Sequence, residues 1–222
     1  MSFADDVEKK AEPVRRAILN HPFVTGIGDG TLDVEKFKFY VRQDYVYLVD
    51  YSRVLALASA RAQDLDTMGW FARLLHETLN TEMGLHRSYC AQLCITVDQF
   101  DSPRAAPTTL SYTNFLLNVA YQGSYSELAA SFLPCQWGYW EIGSHLACKG
   151  EPAEAPLYSQ WIRMYISPEY KSLADWARSL VNRLAEQSSP AEVARMQETY
   201  LTSCKYEYLF WDMAYNMETW PV

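Results

Sequence analysis

Apolar residues recur along this chain at three- and four-residue intervals almost from end to end, and the two-residue alternation of strands is essentially absent. Residues 3–20 read as a first amphipathic helix. Asp33, with acidic Glu35 close behind, caps a long second one that runs to about Ala62. Helical spacing continues through residues 65–94. Pro107-Thr108-Thr109 opens a further segment that reaches about Gln122. Residues 125–148 also carry a helical pattern, with an interruption expected at Pro134, because proline removes a backbone donor and clashes with the preceding turn. Residues 157–166, 168–186 and 189–216 complete the set; Ser189 is a good cap and Pro190 suits the first helical position. The pattern predicts an all-α, multi-helix single domain over residues 1–222.

The 222 residues can bury a sizeable core, and no Gly/Ser-rich linker, repeat or low-complexity run divides them. The longest loop-like stretches, 102–109 and 149–156, are short and Pro/Ala-rich, as connections between helices usually are. The acidic start Met-Ser-Phe-Ala-Asp-Asp lacks the layout of a signal peptide, and no uncharged apolar run is long enough to cross a bilayer. The expectation is a soluble, cytoplasmic protein. Twenty-seven acidic against 19 basic residues give a formal charge of −8, which repels nucleic acid and anionic membranes, and no Lys/Arg cluster offsets it. The five cysteines (90, 94, 135, 148 and 204) form no CxxC pair, which suits a reducing compartment rather than a disulfide framework or structural zinc. Sixteen Tyr and seven Trp point to a polar-lined cavity or a large subunit interface.

Four groups of residues carry candidate chemistry. In Phe132-Leu133-Pro134-Cys135-Gln136-Trp137-Gly138-Tyr139-Trp140, a thiol follows a proline and precedes three rings. A helix beginning at Leu-Pro-Cys would place Cys135 on first-turn N–H groups, which favour the thiolate, with Tyr139 one turn on walling a flat pocket. A buried, inert cysteine in an aromatic core is the alternative. Tyr40, Asp44, Tyr47 and Tyr51 form one stripe of the second helix. It is either a solvated or interface face, or a recognition surface in which a carboxylate accepts an exocyclic amine while rings sandwich a heteroaromatic plane. Glu207, Phe210 and Trp211 share a face of the last helix. A glutamate there is either solvent-facing or desolvated, and desolvation raises a carboxylate's pKa towards the range useful for proton transfer. Glu82/His86 and Glu141/His145 raise a di-iron site in a helical bundle, although such bundles usually space Glu and His by three. His76-Glu77 lacks a second histidine at Asn80, and Gly26-Ile27-Gly28-Asp29-Gly30 follows a helix, not the strand a phosphate loop requires.

Three segments in this order resemble the TenA/thiaminase II family, in its branch with an active-site cysteine: Arg42-Gln43-Asp44-Tyr45-Val46-Tyr47-Leu48, Leu133-Pro134-Cys135-Gln136-Trp137-Gly138-Tyr139, and the run from Tyr206-Glu207 to Ala214-Tyr215. Ser111-Tyr112-Thr113 and Trp161-Ile162-Arg163-Met164-Tyr165 extend the resemblance over about residues 5–220. It implies a haem-oxygenase-like helical bundle without haem, assembled as a homotetramer. The implied activity is hydrolysis of thiamin or of its aminopyrimidine breakdown products, an aminopyrimidine aminohydrolase of thiamin salvage. It places the nucleophile on Cys135, the acid on Glu207 and the pyrimidine-anchoring carboxylate on Asp44. The ring-lining aromatics fall on Tyr47, Tyr112, Tyr139, Tyr165 and Phe210. It implies no metal and no organic cofactor. A non-catalytic pyrimidine-binding or regulatory member of the same fold, and a helical di-iron oxidase, are the rival readings.

Overall fold

A computed structural model describes residues 2–93, 95 and 104–222. Cys94 and the beginning of the connection expected at 102–109 lie outside them. The elements are α1 (Phe3–Leu19), α2 (Pro22–Asp29), α3 (Val34–Arg61), α4 (Leu65–Glu77), a π-helical turn (Thr78–Glu82), α5 (Met83–Gln92), α6 (Pro107–Gln122), α7 (Tyr125–Ala147), α8 (Pro156–Tyr165), α9 (Pro168–Gln187) and α10 (Pro190–Asn216). No strand occurs among the described residues. Two compact units result, one made of residues 1–32 and 126–212, the other of 33–125 and 213–222.

In the first unit, α1 starts at a reciprocal cap. The Ser2 hydroxyl accepts the Asp5 N–H at 3.2 Å, and the Asp5 carboxylate accepts the Ser2 N–H at 2.9 Å. Arg178 of α9 donates to Asp5 at 2.6 Å and to Glu8 at 2.8 Å, joining α1 to α9. The glycine-rich segment 26–30 completes the short helix α2, which stops at Gly30 in the left-handed region (φ 73°). Val7, Ala11 and Ile18 of α1 and Phe23, Val24 and Ile27 of α2 are buried.

The second unit is organised by α3. The Asp33 side chain accepts the Glu35 N–H at 2.9 Å, the cap expected from the sequence. Phe37, Tyr40, Val41, Asp44, Tyr47, Leu48, Tyr51, Val54 and Leu55 all point into the core, and α4, α5 and α6 pack against this helix. Gln43 secures the start of α6: its Oε1 accepts the Ala106 N–H at 2.9 Å and the Thr109 hydroxyl at 2.8 Å, and its Nε2 donates to the Arg104 carbonyl at 3.1 Å.

Helix α7 corrects one expectation. It runs through Pro134 without a break. The proline's missing donor is tolerated because residues 128–136 are buried throughout. The Ser131 carbonyl on the turn before it accepts the Ser203 hydroxyl of α10 at 2.7 Å. Tertiary packing outweighs the local preference of proline for a helix start.

Candidate functional site

The eight residues singled out by the sequence are buried without exception, and they divide between the units. Asp44, Tyr47 and Tyr112 belong to the second unit; Cys135, Tyr139, Tyr165, Glu207 and Phe210 belong to the first.

In the second unit, Asp44 and Tyr47 project from the buried face of α3, so the Tyr/Asp stripe is neither solvated nor an outer surface. The Tyr47 ring lies 5.1 Å from the Tyr112 ring and stacks on Tyr51 at 5.5 Å. Tyr112 is placed by the first turn of α6, which Gln43 holds through Thr109. The Asp44 Oδ2 is 2.9 Å from His86 Nε2 on α5. The Tyr89 ring meets His86 edge-on, and its phenol is pushed well above the usual tyrosine range, first by burial and then by the charge of Asp44. The sequence offers no sign of the His86–Asp44 contact, because the residues sit on different helices and His86 stands out only for its spacing from Glu82.

In the first unit, Cys135 is 7 % exposed and lies in the interior of α7. It therefore does not sit on the unpaired N–H groups of a first helical turn, contrary to the reading of Leu-Pro-Cys as a helix start. Tyr139, one turn later, faces a cluster of rings: Tyr165 at 4.8 Å, Trp211 at 5.3 Å and Trp161 at 5.9 Å. Gly143 makes the closest of these approaches possible. A Cβ there would stand 3.0 Å from the Tyr165 Cβ, so any side chain would push α8 and its tyrosine away from α7.

Glu207 is 5 % exposed, which discards the solvent-facing alternative. With Trp211, Pro134, Gly138 and Cys204 it lines a small cleft of about 30 Å³, to which Arg15 and Glu141 also contribute. Arg15 clasps Glu141 with both arms of its guanidinium, the Nε bond measuring 2.9 Å. Glu141 is thus engaged by a cation, and His86 by Asp44. Among the described residues no three His, Cys, Asp or Glu side chains are grouped to hold a metal ion.

The other buried thiols differ in character. Burial, followed by the negative charge of Glu207, pushes Cys204 up to about 12, and burial pushes Cys90 up to about 11. Neither supplies much thiolate near neutrality. Cys148 is exposed.

No helix among the described residues is long and apolar enough to cross a membrane. Residues 8–217 match the TENA/THI-4/PQQC family. An aminopyrimidine aminohydrolase of Halalkalibacterium halodurans is 47% identical over 222 residues, covering 99% of this chain and 98% of that protein. The structure of a TenA homologue from P. horikoshii OT3 superposes with a TM-score of 0.88 at 29% identity, covering 97% of this chain and 99% of that one. A domain from Shewanella denitrificans with a heme oxygenase-like fold reaches a TM-score of 0.77 at 14% identity, over 96% of this chain and 92% of that one, a likeness of fold alone.

Proposed function

This chain belongs to the TENA/THI-4/PQQC family, and from that premise we propose that it is an aminopyrimidine aminohydrolase of the thiaminase II type. It releases hydroxymethylpyrimidine for thiamin salvage. The observation that carries the reading is the 47% identity, over nearly the whole of both chains, to a protein of that name. The chemistry of the buried residues supports it, because a carboxylate, a thiol and an acid set among aromatic rings suit an aminated, flat, electron-poor substrate.

In this reading Glu207 gives a proton to a ring nitrogen while the Cys135 sulfur forms a bond to a ring carbon. The ring loses its aromaticity, and the carbon–nitrogen bond at the attached methylene breaks, so the amine departs with that electron pair and takes up the proton that the Cys135 thiol gave up. Water adds to the methylene carbon, the sulfur–carbon bond breaks to restore the ring, the proton freed from the water returns to the sulfur, and the ring nitrogen's proton returns to Glu207. Asp44 accepts the exocyclic amine that marks the substrate as an aminopyrimidine. Tyr47, Tyr112, Tyr139, Tyr165 and Phe210 provide ring contacts. The working molecule is a cytoplasmic homotetramer.

Incubation with thiamin, aminomethylpyrimidine and formylaminomethylpyrimidine, followed by chromatography, should show hydroxymethylpyrimidine formed from at least one of them. Cys135→Ser should abolish nearly all of that product, whereas Ala at Cys90, Cys94, Cys148 or Cys204 should leave the chemistry in place. Product from the Cys135→Ser protein at the parental rate would exclude the covalent route. A protein that binds the pyrimidines without converting any would be the non-catalytic member of the fold.

A further inference from the structure

Asp44 is 3 % exposed in the middle of α3, and a carboxylate so placed is costly unless a donor holds it. His86 is the polar group that meets it, with Nε2 at 2.9 Å from Oδ2, and it is itself 2 % exposed. The approach is short but oblique: Oδ2 makes no aligned hydrogen bond, and a small rotation of either side chain would straighten the contact. His86 Nδ1 has no hydrogen-bond partner among the described residues, which leaves Nε2 as the ring nitrogen with a polar group within reach.

The surroundings fix the imidazole. Tyr89 stands edge-on to it at 6.1 Å, and Phe37 in turn stands edge-on to Tyr89 at 5.3 Å. The π-helical turn at Thr78–Glu82 immediately precedes α5. Its wider winding inserts one residue more per turn than an α-helix would, and this sets the register in which Met83, His86, Tyr89 and Cys90 are the buried positions of α5.

We propose that His86 is the positioning residue for Asp44. Its Nε2–H holds Oδ2, fixes the rotamer of the carboxylate and leaves Oδ1 to accept the amine of an aminopyrimidine. This inference rests on the reading of Asp44 as the amine-recognising group. A second reason for the arrangement is specificity: a carboxylate with one oxygen committed presents a single acceptor in a single direction, and a ligand that lacks the amine leaves it unmatched.

Titration calorimetry with hydroxymethylpyrimidine tests it, using the parent protein and the variants Asp44→Asn, His86→Gln, His86→Asn and His86→Leu, each checked for folding by circular dichroism and melting. The Gln amide reaches the place of Nε2, whereas the Asn amide stops short of it. His86→Leu and His86→Asn should weaken binding about tenfold, and His86→Gln should stay within about threefold of the parent. In the Asp44→Asn background the His86 changes should add little, because the two residues act as one unit. If His86→Leu does not fold, the Gln and Asn variants still decide the matter. Equal affinities in all His86 variants, or equal losses in Gln and Asn, with Asp44→Asn weakened, would overturn the positioning role and leave the reading of Asp44 standing. Parental affinity in Asp44→Asn would overturn that reading itself, and the positioning role with it.

Discussion

Glu207 and Cys204 are two buried titratable groups on one helix. They stand one turn apart on α10 and line the same cleft, and the negative charge of the glutamate helps to suppress ionisation of its neighbour. A thiol pushed up to about 12 is a packing group, and the proposed mechanism gives proton transfer to the carboxylate instead. Glu207→Gln preserves size and hydrogen bonding but cannot cycle a proton. Turnover should fall roughly 10²–10⁴-fold with modest loss of binding, and the basic limb of the rate profile should change. Steady-state pH profiles of the parent and the variant check this; unchanged turnover and profile would make Glu207 a structural neighbour. The candidate residues themselves are legible in the sequence because each is a polar or reactive group embedded among aromatics at helical spacing. Asp44 in its tyrosine stripe and Glu207 beside Phe210 and Trp211 are the clearest cases. Their partners are not legible, since the His86–Asp44 contact, and Gln43 bridging to Arg104, Ala106 and Thr109, depend on how separate helices meet.

Helices follow from apolar period and caps, and Asp33, Pro107 and Ser189-Pro190 mark real starts of α3, α6 and α10. Pro134 misleads because its local preference yields where burial decides, and α2 escapes notice because eight residues carry too little periodicity. The π-helical turn has no sequence signature at all; it is an adjustment of register between α4 and α5. That adjustment gives a prediction at this scale. Inserting one alanine after the exposed Asn80, beyond the single extra residue that the wide turn already absorbs, should rotate α5 by about 100°. His86 would leave Asp44, and affinity for hydroxymethylpyrimidine should drop at least as far as in His86→Leu while helicity by circular dichroism stays near the parent's. Parental affinity after the insertion would show that the register of α5 does not matter for binding.

Across the whole molecule, an excess of eight negative charges and a wealth of aromatic residues fit a protein that associates with copies of itself rather than with polyanions. Light scattering at micromolar concentrations should give the mass of a tetramer, and a monomer mass throughout would refute that assembly. The all-helical character is readable from end to end, but the division into units is not. The first unit gathers residues 1–32 and 126–212, and the bonds that unite them, such as Arg178 with Asp5 and Glu8, Arg15 with Glu141, and the Tyr158 hydroxyl with the Leu32 carbonyl, join distant parts of the chain. Synthesis turns this interleaving into a matter of time. The ribosome releases α1 and α2 first, and at roughly 5–20 residues per second their partners emerge on the order of ten seconds later. Throughout that interval the apolar faces of Val7, Ala11, Ile18 and Phe23 have nothing of their own unit beyond α1 and α2 themselves to cover them. The opening helices are therefore the part of a nascent chain that a chaperone would shelter or a protease would take first, and any message truncated before α9 yields an amino-terminal helix with no Arg178 to receive it.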